Sequence, residues 1–135
     1  MTKEKFKLLQ EKISNIIKID QDNLEQDIIK TLEIIKILTE IYFKELRALR
    51  DLEDKYNKLF KEKYHNYRWN SEEALSYNEI INIYLKGDND LVELNVSKRE
   101  IELQIDEIQK HLETLKSKQW AIKDYISWRK FMSGD

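Results

Sequence analysis

Residues 28–67 read IIKTLEIIKILTEIYFKELRALRDLEDKYNKLFKEKYHNY. Within them Ile28, Leu32, Ile35, Thr39, Tyr42, Leu46, Leu49, Glu53, Tyr56, Phe60, Lys63 and Tyr67 succeed one another at alternating steps of four and three, and nine of these twelve are apolar or aromatic. That alternation is the period of a coiled-coil seam. As one helix over residues 23–68 the segment would span roughly 70 Å at about 1.5 Å per residue.

The stretch repeats further along. Leu91, Leu94, Lys98, Ile101, Ile105, Ile108, Leu112, Leu115, Gln119, Ile122 and Ile126 follow the same rule, nine of the eleven being apolar. Between the two lies a shorter segment, about residues 71–85, carrying Leu75, Ile80, Ile81 and Tyr84, with Gly87 as its stop. Ahead of them residues 3–18 place Phe6, Leu9, Ile13, Ile16 and Ile17 at helical spacing. Caps are expected at Asp22 with Glu25, at Asn70 with Glu73 and at Asp90 with Glu93, each an acceptor followed three residues on by glutamate. With no proline and only two glycines, nothing in the 135 residues interrupts long helices. The expected fold is all-α: an N-terminal helix in residues 1–19, then a long helical hairpin over 20–135 with a short connector helix and a last helix over 90–133. Two such helices make only a thin core, so burial by other copies, and hence a homo-oligomer, is expected.

Composition narrows the function. Charged residues make up 37% of the chain and hydrophobic ones 41%, too apolar for a disordered tail. The absence of cysteine excludes disulfides, thiolate nucleophiles and Cys-ligated metals. No apolar region follows the charged N-terminus, and no apolar run approaches a membrane span. Glu62 and His65 form a single E-x-x-H, where a di-iron bundle needs two such motifs and two further carboxylates. Asp88, Asn89 and Asp90 lack the later glycine and glutamate of a calcium loop and read as helix capping. No phosphate loop and no nucleophile–base signature is present, so no catalytic residue, metal site or cofactor is expected.

Charge is distributed unevenly along the chain. Residues 1–43 carry net -1, residues 44–69 net +3, residues 70–100 net -4 and residues 101–135 net 0, which together give the overall -2. Arg47, Arg50, Lys58, Lys61, His65 and Arg68 fall on one side of a helix, with Asp54 in the gap. Tyr64, Tyr67 and Trp69 adjoin the end of this stripe, while Tyr56 and Phe60 lie on the seam and belong to a core. Cations that neutralise phosphates beside rings that stack on unpaired bases suit single-stranded nucleic acid. The competing reading is a solvated face on a coiled-coil scaffold or adaptor that binds no nucleic acid. The two differ in whether the stripe faces solvent or pairs with the acidic 70–100 segment of a neighbour.

The C-terminal stretch KSKQWAIKDYISWRKFMSG adds a resemblance. Its Ile122, Lys123, Ile126, Arg129, Phe131 and Gly134 resemble the C-terminal signature of the UvsY family of phage recombination mediators. GDNDLVEL, at residues 87–94, looks like the start of that family's last helix, and Lys61 and Lys63 match a basic pair set before a tyrosine-rich segment. The likeness covers about residues 20–134 and is most specific over 118–134. It departs where the family's basic segment runs into a glycine-containing loop; here that place holds Arg68, Trp69 and Asn70.

The resemblance implies a non-catalytic single-stranded-DNA-binding protein of the phage-infected host cytoplasm, assembled as a ring-like homo-oligomer through its C-terminal region. Its implied partners are single-stranded DNA, the phage single-strand-binding protein whose hold it weakens, and the RecA-like recombinase UvsX that it helps to load. Lys61 and Lys63 become the foremost candidates for phosphate contacts, joined from the stripe by Arg47, Arg50, Lys58, Arg68, Tyr64, Tyr67 and Trp69. Ile122, Ile126, Trp128, Arg129 and Phe131 become candidates for assembly contacts, or for intramolecular core.

Overall fold

The computed structural model of the chain describes residues 1–70 and 74–134. Among these the fold is all-α: α1 (Lys3–Ile16), α2 (Leu24–Trp69), a one-turn α3 (Tyr77–Glu79) that runs straight into a π-helical segment (Ile80–Leu85), and α4 (Asn89–Met132). Both long helices match the seams read from sequence to within a residue or two at their ends.

Three helix starts differ from expectation, each for a local reason. α2 begins at Leu24, and Asp22 does not cap it: the Asp22 amide donates to the Asp20 carboxylate, and the Asp20 amide donates to Asp27 (2.9 Å). α3 begins at Tyr77, where the Ser76 hydroxyl oxygen accepts from the Glu79 amide at 3.2 Å and its hydroxyl donates to the Glu79 carboxylate at 3.1 Å. Ser76 thus caps α3, six residues after the expected Asn70 cap; Glu73 lies outside the described residues, and the Asn70 side chain donates to Asn66. α4 is capped by Asp88 rather than Asp90, its Oδ1 accepting from the amides of Asp90 (3.0 Å) and Leu91 (3.2 Å). Gly87 does close the connector, but not by a left-handed turn. Its amide donates to the Ile83 carbonyl, and a Cβ there would stand 3.3 Å from that oxygen.

The chain divides into two compact units. The first comprises Met1–Lys44 with Asp106–Asp135. In it Phe6, Leu9 and Ile13 of α1, Leu38 of α2, and Ile108 and Leu115 of α4 form one core, flanked by Ile16, Ile34, Ile35, Ile41, Tyr42 and Leu112. Three amphipathic stripes thus close on each other, as helical spacing requires. The second unit, Glu45–Ile105, buries Ile80, Leu85 and Leu91 beneath Tyr56, Leu59, Phe60, Tyr64, Tyr67, Leu75 and Ile81.

The seam of α2 is displaced at its start. Leu32 is half exposed, and the buried positions are Asp27, Thr31, Leu38 and Glu45. A buried lysine explains the first two. Lys118, with a side chain only 3% exposed, donates from Nζ to Asp27 Oδ1 at 2.6 Å, to Thr31 Oγ1 at 2.9 Å and to the carbonyl of Ile16. Thr31 spends its own proton on the Asp27 carbonyl (2.7 Å), so its oxygen is free to accept. All three ammonium protons are used, and the Ile16 carbonyl at the end of α1 gains the cation that a helix C-terminus favours. Burial pushes the Asp27 carboxyl up, but the Lys118 ammonium and the Asp20 amide outweigh it and hold the group below its ordinary value.

Because the folded Asp27 value is depressed, its stabilisation is present above the unfolded value and is lost as pH falls through the window between the two. Lys118→Met leaves a buried carboxylate unpaired and is expected to cost about 3–5 kcal/mol in urea unfolding, whereas adding Asp27→Leu should recover most of it. A single variant no less stable than the wild type would show that the contact holds nothing.

Candidate nucleic-acid interface

The second half of α2 has two chemically different sides within the second unit. Arg47, Arg50, Lys58, Lys61, His65 and Arg68 are all exposed, so the cationic stripe lies in solvent and not in a seam. Asp54 is exposed among them, as expected. Lys61, Glu62, His65 and Asn66 line a shallow open depression on this side. Beyond it the Arg68 guanidinium lies 5.3 Å from the centre of the Trp69 ring, and the His65 ring is 6.3 Å from the same indole. Trp69 is 65% exposed, the one ring of the predicted three with a free face.

The other predicted residues turn inward. Tyr64 and Tyr67 pack on the Ile80–Leu85–Leu91 cluster. The Tyr64 ring meets Tyr77 edge-on at 5.9 Å, and its hydroxyl accepts from Arg68 Nη1 at 2.8 Å. Lys63, two residues from Lys61, is about 200° away around the helix by the helical repeat. Its ammonium reaches Asp90 Oδ2 at 2.8 Å and Asp88 Oδ2 at 3.3 Å. The family-like basic pair is therefore divided: Lys61 faces solvent, and Lys63 is engaged by the acidic start of α4 in its own chain.

Asp88 is the hub of that contact. One carboxylate oxygen caps α4, and the other accepts from the Tyr67 hydroxyl (3.0 Å) and faces Lys63. Burial raises the Asp88 carboxyl, but the Leu91 amide, the Tyr67 hydroxyl and Lys63 outweigh it and hold it below the ordinary range. Lys63 is raised by its hydrogen bonds to Asp90 and then Asp88, and Tyr67 is raised by burial and by donation to Asp88. Sequence reading recognised these aspartates as capping residues and missed them as partners of Lys63. Their signal was the acidic segment itself, set against a neighbouring copy rather than the same chain.

The predicted assembly residues also divide. In the first unit Ile122 is buried, while Ile126, Trp128, Arg129 and Phe131 are exposed. Arg129 lies 5.6 Å from the centre of the Tyr125 ring. An open apolar groove of about 390 Å³ runs beside them, lined by Ile28, Gln119, Trp120, Ile122, Lys123 and Ile126. Among the described residues no group of His, Asp and Glu is arranged to hold a metal ion, and no helix is long and apolar enough to cross a membrane.

Comparison with known proteins gives one match. The family described as "Recombination, repair and ssDNA binding protein UvsY" matches residues 12–135, nearly the whole chain. No curated protein and no solved structure matches.

Tyr67→Phe removes one donor from Asp88 while keeping the ring in the core. The Asp88 carboxyl should then titrate closer to its ordinary value, followed by carbon NMR, and acid loss of stability should begin at higher pH because less of the depression remains. An unchanged Asp88 titration would remove the hydroxyl from the account.

Proposed function

The chain belongs to the UvsY family of recombination, repair and single-stranded-DNA-binding proteins, and from that premise we propose that it is a recombination mediator that holds single-stranded DNA on the exposed face of α2 between Arg47 and Arg68. The observation that carries the reading is that stripe. A chain of net charge -2 keeps six basic or imidazole side chains in solvent on one helix side, ending at an exposed tryptophan. Arg47, Arg50, Lys58, Lys61 and Arg68 supply phosphate contacts, and Trp69 offers a face for a base. Tyr64 and Tyr67 support the site from the core by placing Arg68 and Asp88. No covalent chemistry is involved.

A single stripe this small binds weakly, so affinity comes from several copies acting on one strand. Ile126, Trp128, Arg129 and Phe131 are the proposed assembly contacts of a ring-like homo-oligomer, with Ile122 beneath them in the core. A strand drawn across several copies is deformed, which loosens the phage single-strand-binding protein and favours loading of the RecA-like recombinase UvsX. The setting is the cytoplasm of the phage-infected host. Against the alternative of a coiled-coil scaffold stands the solvent-facing stripe, and two acids of the 70–100 segment that could neutralise it on a neighbour, Asp88 and Asp90, already meet Lys63 of their own chain.

Anisotropy of a labelled oligothymidine should fall as salt rises. Lys58→Ala/Lys61→Ala should lower affinity about tenfold or more and make the log–log salt slope shallower by about 1.4, two phosphates at about 0.7 each. A full-affinity double variant would favour the scaffold.

Lys63 reaches phosphate by giving up its contacts with Asp88 and Asp90, of which the Asp90 carboxylate is the more exposed, at 62%. Asp90→Asn is therefore expected to raise affinity by a factor of about two to five, exposed ion pairs being weak. This gain should vanish in a Lys63→Ala background. An equal gain in both backgrounds would trace it to general charge and not to Lys63.

A further inference from the structure

The outer face of α4 in the first unit carries a second stripe that composition obscures. Lys116, Trp120, Lys123, Ser127 and Lys130 follow one another at steps of four, three, four and three, so they share one side of the helix. All five are exposed, and none is acidic. They lie away from Leu115, Lys118 and Ile122, the buried residues of the same turns. Residues 101–135 are neutral in sum because six acids balance six bases, but none of those acids is among these five positions.

Trp120 is the ring of this stripe. It is 66% exposed, and the Lys123 ammonium stands 4.8 Å from its ring centre. Trp120 and Lys123 also line the groove, together with the aliphatic Ile28, Ile122 and Ile126. Its volume of about 390 Å³ is ample for one nucleobase. An exposed ring, aliphatic side chains beside it and lysines on the same helix face are the parts of a base-stacking platform: the apolar surfaces take the base, and the lysines take the flanking phosphates. A second copy of the chain is the poorer occupant of the outer stripe, since lysine is depleted from the centres of protein–protein contacts and the three lysines here outnumber the exposed acids beside them, Glu113 and Asp124.

We propose that this stripe and groove are a second single-stranded-DNA subsite, in which Trp120 stacks on a base while Lys116, Lys123 and Lys130 contact phosphates. The inference rests on the single-strand reading given above but uses none of the cationic or aromatic residues of the Arg47–Trp69 track; from α2 it takes only Ile28, in the other unit. It assigns the chain two separate phosphate tracks, one in each unit, and explains why an exposed tryptophan stands among lysines outside the core.

The test uses the full chain, oligothymidine anisotropy at several salt concentrations, tryptophan fluorescence, and the mass in sedimentation. Trp120→Ala should weaken binding about fivefold or more, the loss of one stacked base. Lys116→Ala/Lys123→Ala should make the salt slope shallower by about 1.4. Neither should change the assembled mass. Tryptophan quenching by oligothymidine should shrink in Trp120→Phe and persist in Trp69→Phe. Unchanged affinity and salt slope in these variants would overturn the subsite. A lower mass in Trp120→Ala would overturn it in favour of a contact between copies. The α2 reading is judged separately by Lys58→Ala/Lys61→Ala: if that variant binds normally while Trp120→Ala does not, the α2 track falls and the α4 subsite stands.

Discussion

Each long helix of this protein starts at an aspartate that is held by a lysine from the other long helix. In the first unit Asp27, in the first turn of α2, is clasped by Lys118 of α4. In the second unit Asp88, the cap of α4, is met by Lys63 of α2. The symmetry has a physical basis. Helices without proline or interior glycine have no local feature that sets their register, and a repeating apolar seam is nearly as well satisfied after a slip of one heptad. A buried charge is not: moved by a heptad, Lys118 would face apolar side chains and Asp27 would lose the ammonium it is hydrogen-bonded to. Polar residues in a seam specify register in this way in coiled coils generally. They add little net stability, because desolvating both partners offsets most of their attraction.

The same contacts explain how an acidic chain presents a cationic face. Asp27, Asp88 and Asp90 are spent on lysines turned toward α4 or α2, so those anions do not neutralise the lysines and arginines turned outward. Lys61 and Lys63 make the point at two positions two residues apart. Helical geometry puts them on opposite sides, one in water and one against the carboxylates that start α4. Net charge alone would predict a poor ligand for nucleic acid. What a strand meets is the local field, and the local field of residues 47–68 is positive.

Much of the architecture was legible in the order of residues. Period-3.5 spacing from Ile28 to Tyr67 and from Leu91 to Ile126 identified two helices of more than forty residues, because hydrophobic periodicity is a local property and nothing breaks it. Phe6, Leu9 and Ile13 were correctly placed on a buried stripe for the same reason. Caps were less legible. Asn70 and Asp90 carry the right chemistry, but so do Ser76 and Asp88, which cap instead, and the choice is made by where the chain turns. Of the site, the outward stripe was readable, since it needs only helical phase.

What the sequence determined by itself is therefore the helical content, the two seams and the face on which the cations of α2 lie, each following from spacing along one helix. Tertiary structure alone decided which polar residues go inside. Asp27, Thr31 and Lys118 look like surface residues until three helix segments meet and the ammonium finds the carboxylate, the hydroxyl and the Ile16 carbonyl together. That Tyr67 and Lys63 both meet Asp88 likewise depends on a segment more than twenty residues away. A charge enters a core only when its partner enters with it, and that partnership is a contact between distant segments that no local pattern records.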